Sequence, residues 1–274
     1  MMKKIKHYIA VGYWQLKLNT LCNLQYFSYT IVWFFMIGIA MFSTFFVLKA
    51  ILDRVGQING WNFAQISFLV GLSFISHGFE DMFFLQNRFI EHNVLEGTLD
   101  QYLIRPLNVF FLFNTAHFNL VGFYDILPGV IILVYACNQL HFPATPYHII
   151  AIVVITVAGT FIRAAQLIIT GSLAFWTKKS RILEDTNLTL MDRTSSYPLT
   201  MYPKWFQLLF TFLLPLGFIT FYPVRGLLNI TADSSLPVAP DLLIWAPLVA
   251  LAFFLIARAV FNYGLSHKYE SAGS

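Results

Sequence analysis

The hydrophobic pattern of this 274-residue chain consists of long apolar runs separated by short polar segments. A helix needs roughly 20 apolar residues to cross the hydrocarbon region of a bilayer. By that measure the sequence predicts six spans, at about residues 28–48, 62–84, 108–136, 147–176, 205–222 and 241–264. The fifth is short and contains Pro215-Leu216-Gly217, so we expect a kink or break inside it. The expected fold is all-α and integral to the membrane, with one transmembrane domain over residues 1–274.

Residues 1–26 predict a helix of a different kind, which lies along the membrane surface. Ile5, Ile9, Tyr13 and Leu16 recur at helical spacing, and lysines lie on another side of the same helix. The alternative is a signal peptide, but polar residues interrupt any early apolar core and no small-residue cleavage site follows. We therefore predict an N-terminal amphipathic helix on an anionic cytoplasmic surface.

Composition excludes a soluble domain. The chain is 58% hydrophobic and 11% charged, with a mean hydropathy of +0.67, whereas ordinary soluble domains carry roughly 25% charged residues. The net charge of +4 comes from basic residues that are scattered between the spans rather than massed on one face. That distribution argues against a nucleic-acid partner and leaves membrane lipid as the surrounding medium.

The basic residues predict the orientation, because cytoplasmic loops carry an excess of Lys and Arg. With the N-terminus inside, the outer loops hold only Lys49, Arg54 and Arg225. The cytoplasmic segments then hold twelve basic residues, namely Lys3, Lys4, Lys6, Lys17, Arg88, Arg105, Lys178, Lys179, Arg181, Arg193, Lys204 and Lys268. We expect both termini and two loops, residues 85–107 and 177–204, to be cytoplasmic.

The segment at residues 85–107 predicts two short helices. Gly97 is placed to end the first helix, and Thr98 followed by Gln101 forms a capping box that would start the second. Pro106 would separate that helix from the third span. A short helix of this kind can press into a groove on a partner protein, or it can merely connect two spans. The pattern leaves both readings open.

Three sets of residues resemble the ABC-2 family of ABC-transporter permeases, closest to its branch of six-span subunits. The first is Gly97-Thr98-Leu99-Asp100 followed by Leu103 and Arg105-Pro106-Leu107. The second is Tyr202-Pro203, with Leu214-Pro215-Leu216-Gly217-Phe218 and Phe221-Tyr222-Pro223 after it. The third is the ending Tyr269-Glu270-Ser271-Ala272-Gly273-Ser274. In layout the resemblance covers nearly the whole chain.

The resemblance implies that the 85–107 segment is a coupling helix that fits a cleft on a cytoplasmic ABC ATPase. It also implies two permease copies or two sister permeases, the plasma (inner) membrane of a bacterium, and export of an amphiphilic or apolar compound. The ATPase-coupling residues would be Arg88, Glu91, Leu95, Glu96, Gly97, Leu99, Asp100, Leu103 and Arg105.

The chain has no G-x-x-x-x-G-K-[ST] motif, the glycine-rich turn and lysine that cradle nucleotide phosphates. We therefore expect no catalytic residue and no cofactor in this chain, with ATP and Mg²⁺ held by a partner subunit. The histidines and cysteines show no metal-ligand spacing, so we also expect no metal site.

Three polar residues lie inside predicted spans, at Asp125, Arg163 and Gln166. Charged side chains at such depth are costly and normally face the protein interior. Asp125 and Arg163 fall within about two helical turns of the same depth, so we hypothesise an ion pair between the third and fourth spans. Alternatively, Arg163 faces the pathway and holds an anionic substrate. Gln166 could serve either arrangement.

A second polar group, formed by His77, Glu80 and Asp81, lies at the inner end of the second span. It is either a gate or proton site, or an interfacial patch near Arg88. An alternative function follows from the intramembrane charges. The chain could be a standalone ion-coupled secondary transporter or channel that uses Asp125 and Arg163.

Overall fold

The computed structural model of the protein describes residues 2–25, 27–230 and 242–269. The protein is 82% helical, and these three ranges contain no β-strand. Within these ranges, five helices are long and apolar enough to cross a membrane, and the number is six if one bent pair counts as a span. The predicted all-helical class with membrane-spanning helices is confirmed.

The first helix, α1 (Met2–Gln25), covers the segment for which a surface helix is predicted. The Asn19 side chain donates a hydrogen bond to the carbonyl of Ala116 at 2.7 Å, which ties α1 to the first part of the predicted third span. Several apolar side chains of α1 are exposed, including Tyr13, Trp14 and Leu18. Its location on a membrane surface stays a prediction.

Helices α2 (Phe27–Val55) and α3 (Phe63–Phe84) cover the first two predicted spans and are joined by residues 56–62. Asn62 begins α3 with a capping box. Its side chain accepts a hydrogen bond from the Gln65 N–H, and the Gln65 side chain accepts one from the Asn62 N–H, both at 2.9 Å. We call the end of the helix bundle that holds residues 56–62 the loop end.

The opposite end holds residues 85–107 and is called the segment end. There a 3₁₀ turn (Leu85–Phe89) leads into α4 (Ile90–Leu95) and α5 (Asp100–Leu103). Gly97 lies between the two helices with φ +67°, where a glycine is favoured. The predicted capping box at Thr98 is not formed, because the Thr98 hydroxyl donates instead to Oδ1 of Asn93 at 2.6 Å.

The third predicted span, residues 108–136, is broken rather than continuous. It comprises α6 (Val109–Thr115) and α7 (Phe123–Gln139), and only Leu120–Gln139 is long enough to cross a membrane. Asn119 explains the break, since its side chain accepts from the Val121 N–H while its own N–H donates to the carbonyl of Met82. The apolar runs at residues 109–113 and 120–123 conceal this cap in the sequence.

Helix α8 (Pro146–Ser172), followed by the short α9 (Ala174–Thr177), forms the centre of the bundle. It packs against α3 and against the last helix, α13 (Leu242–His267). Small buried residues such as Ala164 and Ala165 allow these close contacts. The start of the predicted sixth span at residue 241, and the family-like ending after Tyr269, lie outside the described residues.

Helix α10 (Arg181–Ser196) corrects the predicted topology. Its start, at Ser180, is hydrogen-bonded to Glu91 at the segment end. Beyond its end, the carbonyl of Thr200 accepts a hydrogen bond from the Asn59 side chain at the loop end, at 2.8 Å. Residues 180–200 therefore extend from one end of the bundle to the other and do not form a loop on one side. Lys204, which was predicted to lie with the other cytoplasmic basic residues, is therefore found at the loop end. The segment end still holds more basic residues than the loop end.

The fifth predicted span, residues 205–222, is a bent pair of helical segments. Helix α11 (Lys204–Leu208) continues as a π-helical turn to Leu213, and the chain then bends by 78° into Leu216–Leu227, which includes α12 (Phe221–Leu227). The ring of Phe221 lies 5.6 Å from that of Trp61 at the loop end. The pair thus starts and finishes near the same end, with the predicted break at Pro215-Leu216-Gly217.

Candidate functional site

The 85–107 segment presents an apolar surface at its tip. Ile104 is 85% exposed, Leu95 55% and Leu103 46%, while Glu96 is also exposed. The guanidinium of the exposed Arg105 lies 5.9 Å from the ring of Tyr102. Large aliphatic side chains that cluster with charged neighbours on an exposed tip are typical of a protein-binding surface.

Two of the predicted contact residues are used inside the chain. Leu99 is fully buried in a cluster that includes Tyr102 and Phe113, so it anchors α5 rather than meeting a partner. Asp100 accepts a hydrogen bond from the Tyr269 hydroxyl at 2.9 Å. Burial and this hydrogen bond raise the pKa of Tyr269 to about 12. The contact fixes the end of α13 to the segment.

Arg88, also predicted as a contact to the ATPase, belongs to a buried charge cluster. Its Nη2 donates to Oε2 of Glu80 at 3.0 Å, contacts Asp81, and lies 3.2 Å from Nε2 of His77. The His77 ring is in turn 3.8 Å from a carboxylate oxygen of Asp125. The cluster therefore ties the segment to the inner parts of α3 and α7.

A metal ion is one ligand that such a cluster could hold. Ligand atoms of His77, Glu80 and Asp81 lie within 4.8 Å of one another. The guanidinium of Arg88, however, already contacts all three side chains and supplies positive charge at that position. The arrangement fits an internal salt-bridge network better than a metal site.

Glu91 connects the segment to α10. Its carboxylate accepts hydrogen bonds from the backbone N–H groups of Ser180 and Arg181, where α10 begins. The first N–H groups of a helix have no partner within the helix, and the helix dipole favours a negative charge beside them. Glu91 thus supplies a cap for α10 from a residue 89 positions earlier in the chain.

Glu184, in the first turn of α10, is buried beside this cap. Its Oε1 accepts a hydrogen bond from the Ser180 hydroxyl at 2.6 Å. Its other carboxylate oxygen, Oε2, is buried and has no hydrogen-bond partner within the described ranges. A titratable group therefore lies at the junction between the segment and α10.

Arg163 is fully buried in α8 and pairs with a residue that the sequence prediction missed. Its Nη1 donates to Oδ1 of Asp192 at 2.9 Å, and its Nη2 donates to the hydroxyls of Ser73 and Ser195 at 2.9 and 2.6 Å. The hypothesised pair between Asp125 and Arg163 is not formed, because α10 brings a nearer carboxylate. Asp192 was overlooked because its segment was assigned to a loop.

Gln166, one turn beyond Arg163, is also buried. Its Nε2 has no hydrogen-bond partner within the described ranges. The structure therefore places Gln166 in the interior without joining it to the Arg163 pair or to the charge cluster around His77.

Comparison with known proteins identifies the family. The family model described as "ABC-2 family transporter protein" matches residues 38–273, which is most of the chain. Curated proteins provide no match. The matched region contains both the 85–107 segment and the whole of α10.

Proposed function

The chain belongs to the ABC-2 family of transporter proteins, and on that premise we propose that it is the permease subunit of a transporter driven by a separate cytoplasmic ATPase. The family supplies the membrane component of ABC-type transporters, which is not itself catalytic. The chain is accordingly a multi-pass membrane protein. The missing G-x-x-x-x-G-K-[ST] motif supports ATP and Mg²⁺ binding on the partner.

The observation that carries this proposal is the exposed tip of the 85–107 segment. Leu103 and Ile104 project from the same segment that Glu91 and Arg88 join to the helix bundle. A partner that binds the tip is therefore connected through short polar contacts to the transmembrane helices. This is the arrangement that coupling between an ATPase and a permease requires.

The proposed mechanism starts with closure of paired ATPase subunits on ATP, which displaces the segment. Glu91 moves the start of α10, and Arg88 moves the inner end of α3 through Glu80 and Asp81. Because Asp192 joins α10 to Arg163 of α8, the displacement reaches the centre of the bundle. Two copies of the chain, or this chain and a sister permease, then switch access to a pathway between them.

Orientation and transport direction form part of the same proposal. The excess of Lys and Arg at the segment end supports a cytoplasmic location for that end and for both termini. The family resemblance supports export of an amphiphilic or apolar compound across the plasma membrane of a bacterium. In this orientation the loop end faces outward.

Co-purification tests the proposal. The tagged chain is extracted from its native membrane in mild detergent, and the proteins that accompany it are identified. We expect a stoichiometric partner with a Walker A motif, which is lost from the Leu103→Asp/Ile104→Asp variant. Met201→Asp, at an exposed position of the loop end, is the matched control and should retain the partner. Equal recovery with both variants would refute the assignment of the docking surface.

A second candidate function rests on the buried cluster of His77, Asp81 and Asp125. Buried titratable groups within spans are common in proton-coupled transporters. A chain that purifies without an ATPase, and that transports on an ion gradient in the absence of ATP, would support this secondary transporter. Such a transporter would not use Asp125 and Arg163 as an ion pair, because Arg163 is paired with Asp192 instead.

A further inference from the structure

We propose that the groove between α2, α3 and α10 binds an amphiphile with an anionic group, and that Arg193 is the cation that contacts this group. The groove has a volume of about 440 Å³, within the range of roughly 300–1,000 Å³ that is usual for ligand pockets. The binding of this amphiphile is argued from the groove alone. Its identification as the transported compound rests on the proposed function.

The groove is amphipathic in its construction. One wall is the apolar face of α2, including Ile37, Met41 and Phe45, and α3 contributes Phe74. The other wall is the polar face of α10, where Thr189 and Arg193 are exposed. A ligand that fills this groove therefore needs an apolar body for α2 and a polar group for α10.

The charge of the polar wall is positive, because every acidic residue of α10 is already engaged. Glu184 is buried and bonded to Ser180, and Asp185 lies 3.4 Å from Arg181. The carboxylate of Asp192, which also lines the groove, is held by Arg163. Within the part of the chain that the structure describes, no carboxylate lies within ion-pair distance of Arg193. A negatively charged ligand would supply the missing partner.

Arg193 is exposed to the groove at a position between the two ends of the bundle, where an arginine needs water or a negative charge beside it. Its neighbour Asp192 meets Arg163, which also contacts Ser73 halfway along α3. Arg193 therefore lies between the two ends of the bundle, opposite the apolar wall that α2 contributes to the groove. An arginine at such depth faces an aqueous cavity or a counter-charge rather than lipid chains.

A second copy of the chain is a less suitable occupant of the groove. Two-fold related copies present the same surface to each other, so the second copy would bring its own Arg193 and add positive charge. An anionic amphiphile compensates Arg193 and also covers the apolar wall of α2. These two requirements together favour the amphiphile.

The test measures lipid retention by the purified chain, using phosphatidylglycerol as the anionic probe. Native mass spectrometry counts the lipids that remain bound after transfer from mixed micelles. Phosphatidylethanolamine with the same acyl chains is the zwitterionic comparison, and glycerol phosphate is the head group without chains. We expect preferential retention of phosphatidylglycerol, and no retention of glycerol phosphate.

Three variants localise the effect to the groove. Arg193→Gln should reduce phosphatidylglycerol retention about tenfold, which corresponds to about 1.4 kcal/mol of binding free energy, because the variant lacks the positive charge. Arg193→Lys keeps the charge and should preserve most of the retention. Ala40→Trp should reduce retention of both lipids, because Ala40 is exposed on the α2 wall and tryptophan would fill the groove. Arg181→Gln removes an exposed arginine of α10 outside the groove and serves as the control.

Two outcomes would overturn the proposal. One is equal retention of phosphatidylglycerol by the Arg193→Gln variant and the wild type. The other is efficient disulfide formation between two copies carrying Thr189→Cys, in a background with Cys22→Ser and Cys137→Ser, which would place a second copy in the groove. Neither measurement involves ATP or an ATPase, so the binding proposal and the permease proposal can fail separately.

Discussion

The guanidinium of Arg163 and the carboxylate of Asp192 lie 2.9 Å apart and join α8 to α10 inside the helix bundle. Arg163 is fully buried, whereas about half of the Asp192 side chain is exposed toward the groove beside α2. The hydroxyls of Ser73 and Ser195 complete the contacts of the guanidinium. A helix as polar as α10 can therefore lie among apolar helices, because its inward Asp192 and Ser195 are paired with Arg163.

Removal of Asp192 should leave a buried, uncompensated arginine. We expect Asp192→Ala to lower the free energy of unfolding by roughly 3 kcal/mol, because the fully buried Arg163 would lose its counter-charge. The double variant with Arg163→Met should lose less than the sum of the two single variants. Thermal unfolding in detergent measures both effects.

Asp185→Ala is the control for this prediction, because Asp185 and Arg181 form an exposed pair on the same helix. Its effect should stay within about 0.5 kcal/mol. A loss for Asp192→Ala that is no larger than the loss for Asp185→Ala would contradict the pairing seen in the structure.

Glu91 should matter more for coupling than for folding. Glu91→Ala removes the cap of α10, which costs about 1 kcal/mol for a typical N-terminal cap. We expect the variant to retain its ATPase partner but to transport less per ATP hydrolysed, because α10 no longer follows the segment. Transport and ATP hydrolysis are measured together in proteoliposomes. Asp53→Ala, in an exposed pair with Lys49 near the loop end, should leave the ratio closer to that of the wild type.

The close approach of α3 and α7 should not tolerate a side chain at Gly78. A Cβ atom there would overlap the carbonyl oxygen of Gly122 on the facing helix. Since backbone must move to relieve this overlap, we expect Gly78→Ala to destabilise the protein by about 2 kcal/mol. Gly38→Ala in α2 is the comparison, because its Cβ would meet nothing within 4 Å and alanine favours a helix. Equal melting temperatures for the two variants would show that the helices are not in contact at Gly78.

The long apolar helices could be predicted from the sequence, since apolar residues predominate in α2, α3, α8 and α13 over lengths that can cross a membrane. Helix α10 could not be predicted from the sequence. Its charged residues mark a loop in any hydropathy profile, and only the folded structure shows that Asp192 is paired with Arg163 of α8 and that Glu184 accepts a hydrogen bond from Ser180. The break before α7 was hidden for the opposite reason, because the capping residue Asn119 lies between the apolar runs at residues 109–113 and 120–123.

The candidate site could be predicted from the sequence only in part. Gly97 and the short periodic runs located two helices in the 85–107 segment, but periodicity alone does not say which face is buried. Leu99 packs inside against distant aromatic residues, and the exposed tip is Ile104, which the prediction did not include. The roles of Arg88 and Glu91 depend on partners in α3 and at the start of α10, which no local pattern reveals.

Photo-crosslinking from Ile104 tests the central claim most directly. A benzoylphenylalanine placed at Ile104 in the full chain, within intact cells, should capture a polypeptide that carries a Walker A motif. The same group at Met201, which is exposed at the loop end, should not capture that polypeptide. If Ile104 captures only lipid or another copy of this chain, or if Met201 captures the same ATPase equally well, the 85–107 segment is not where an ATPase binds.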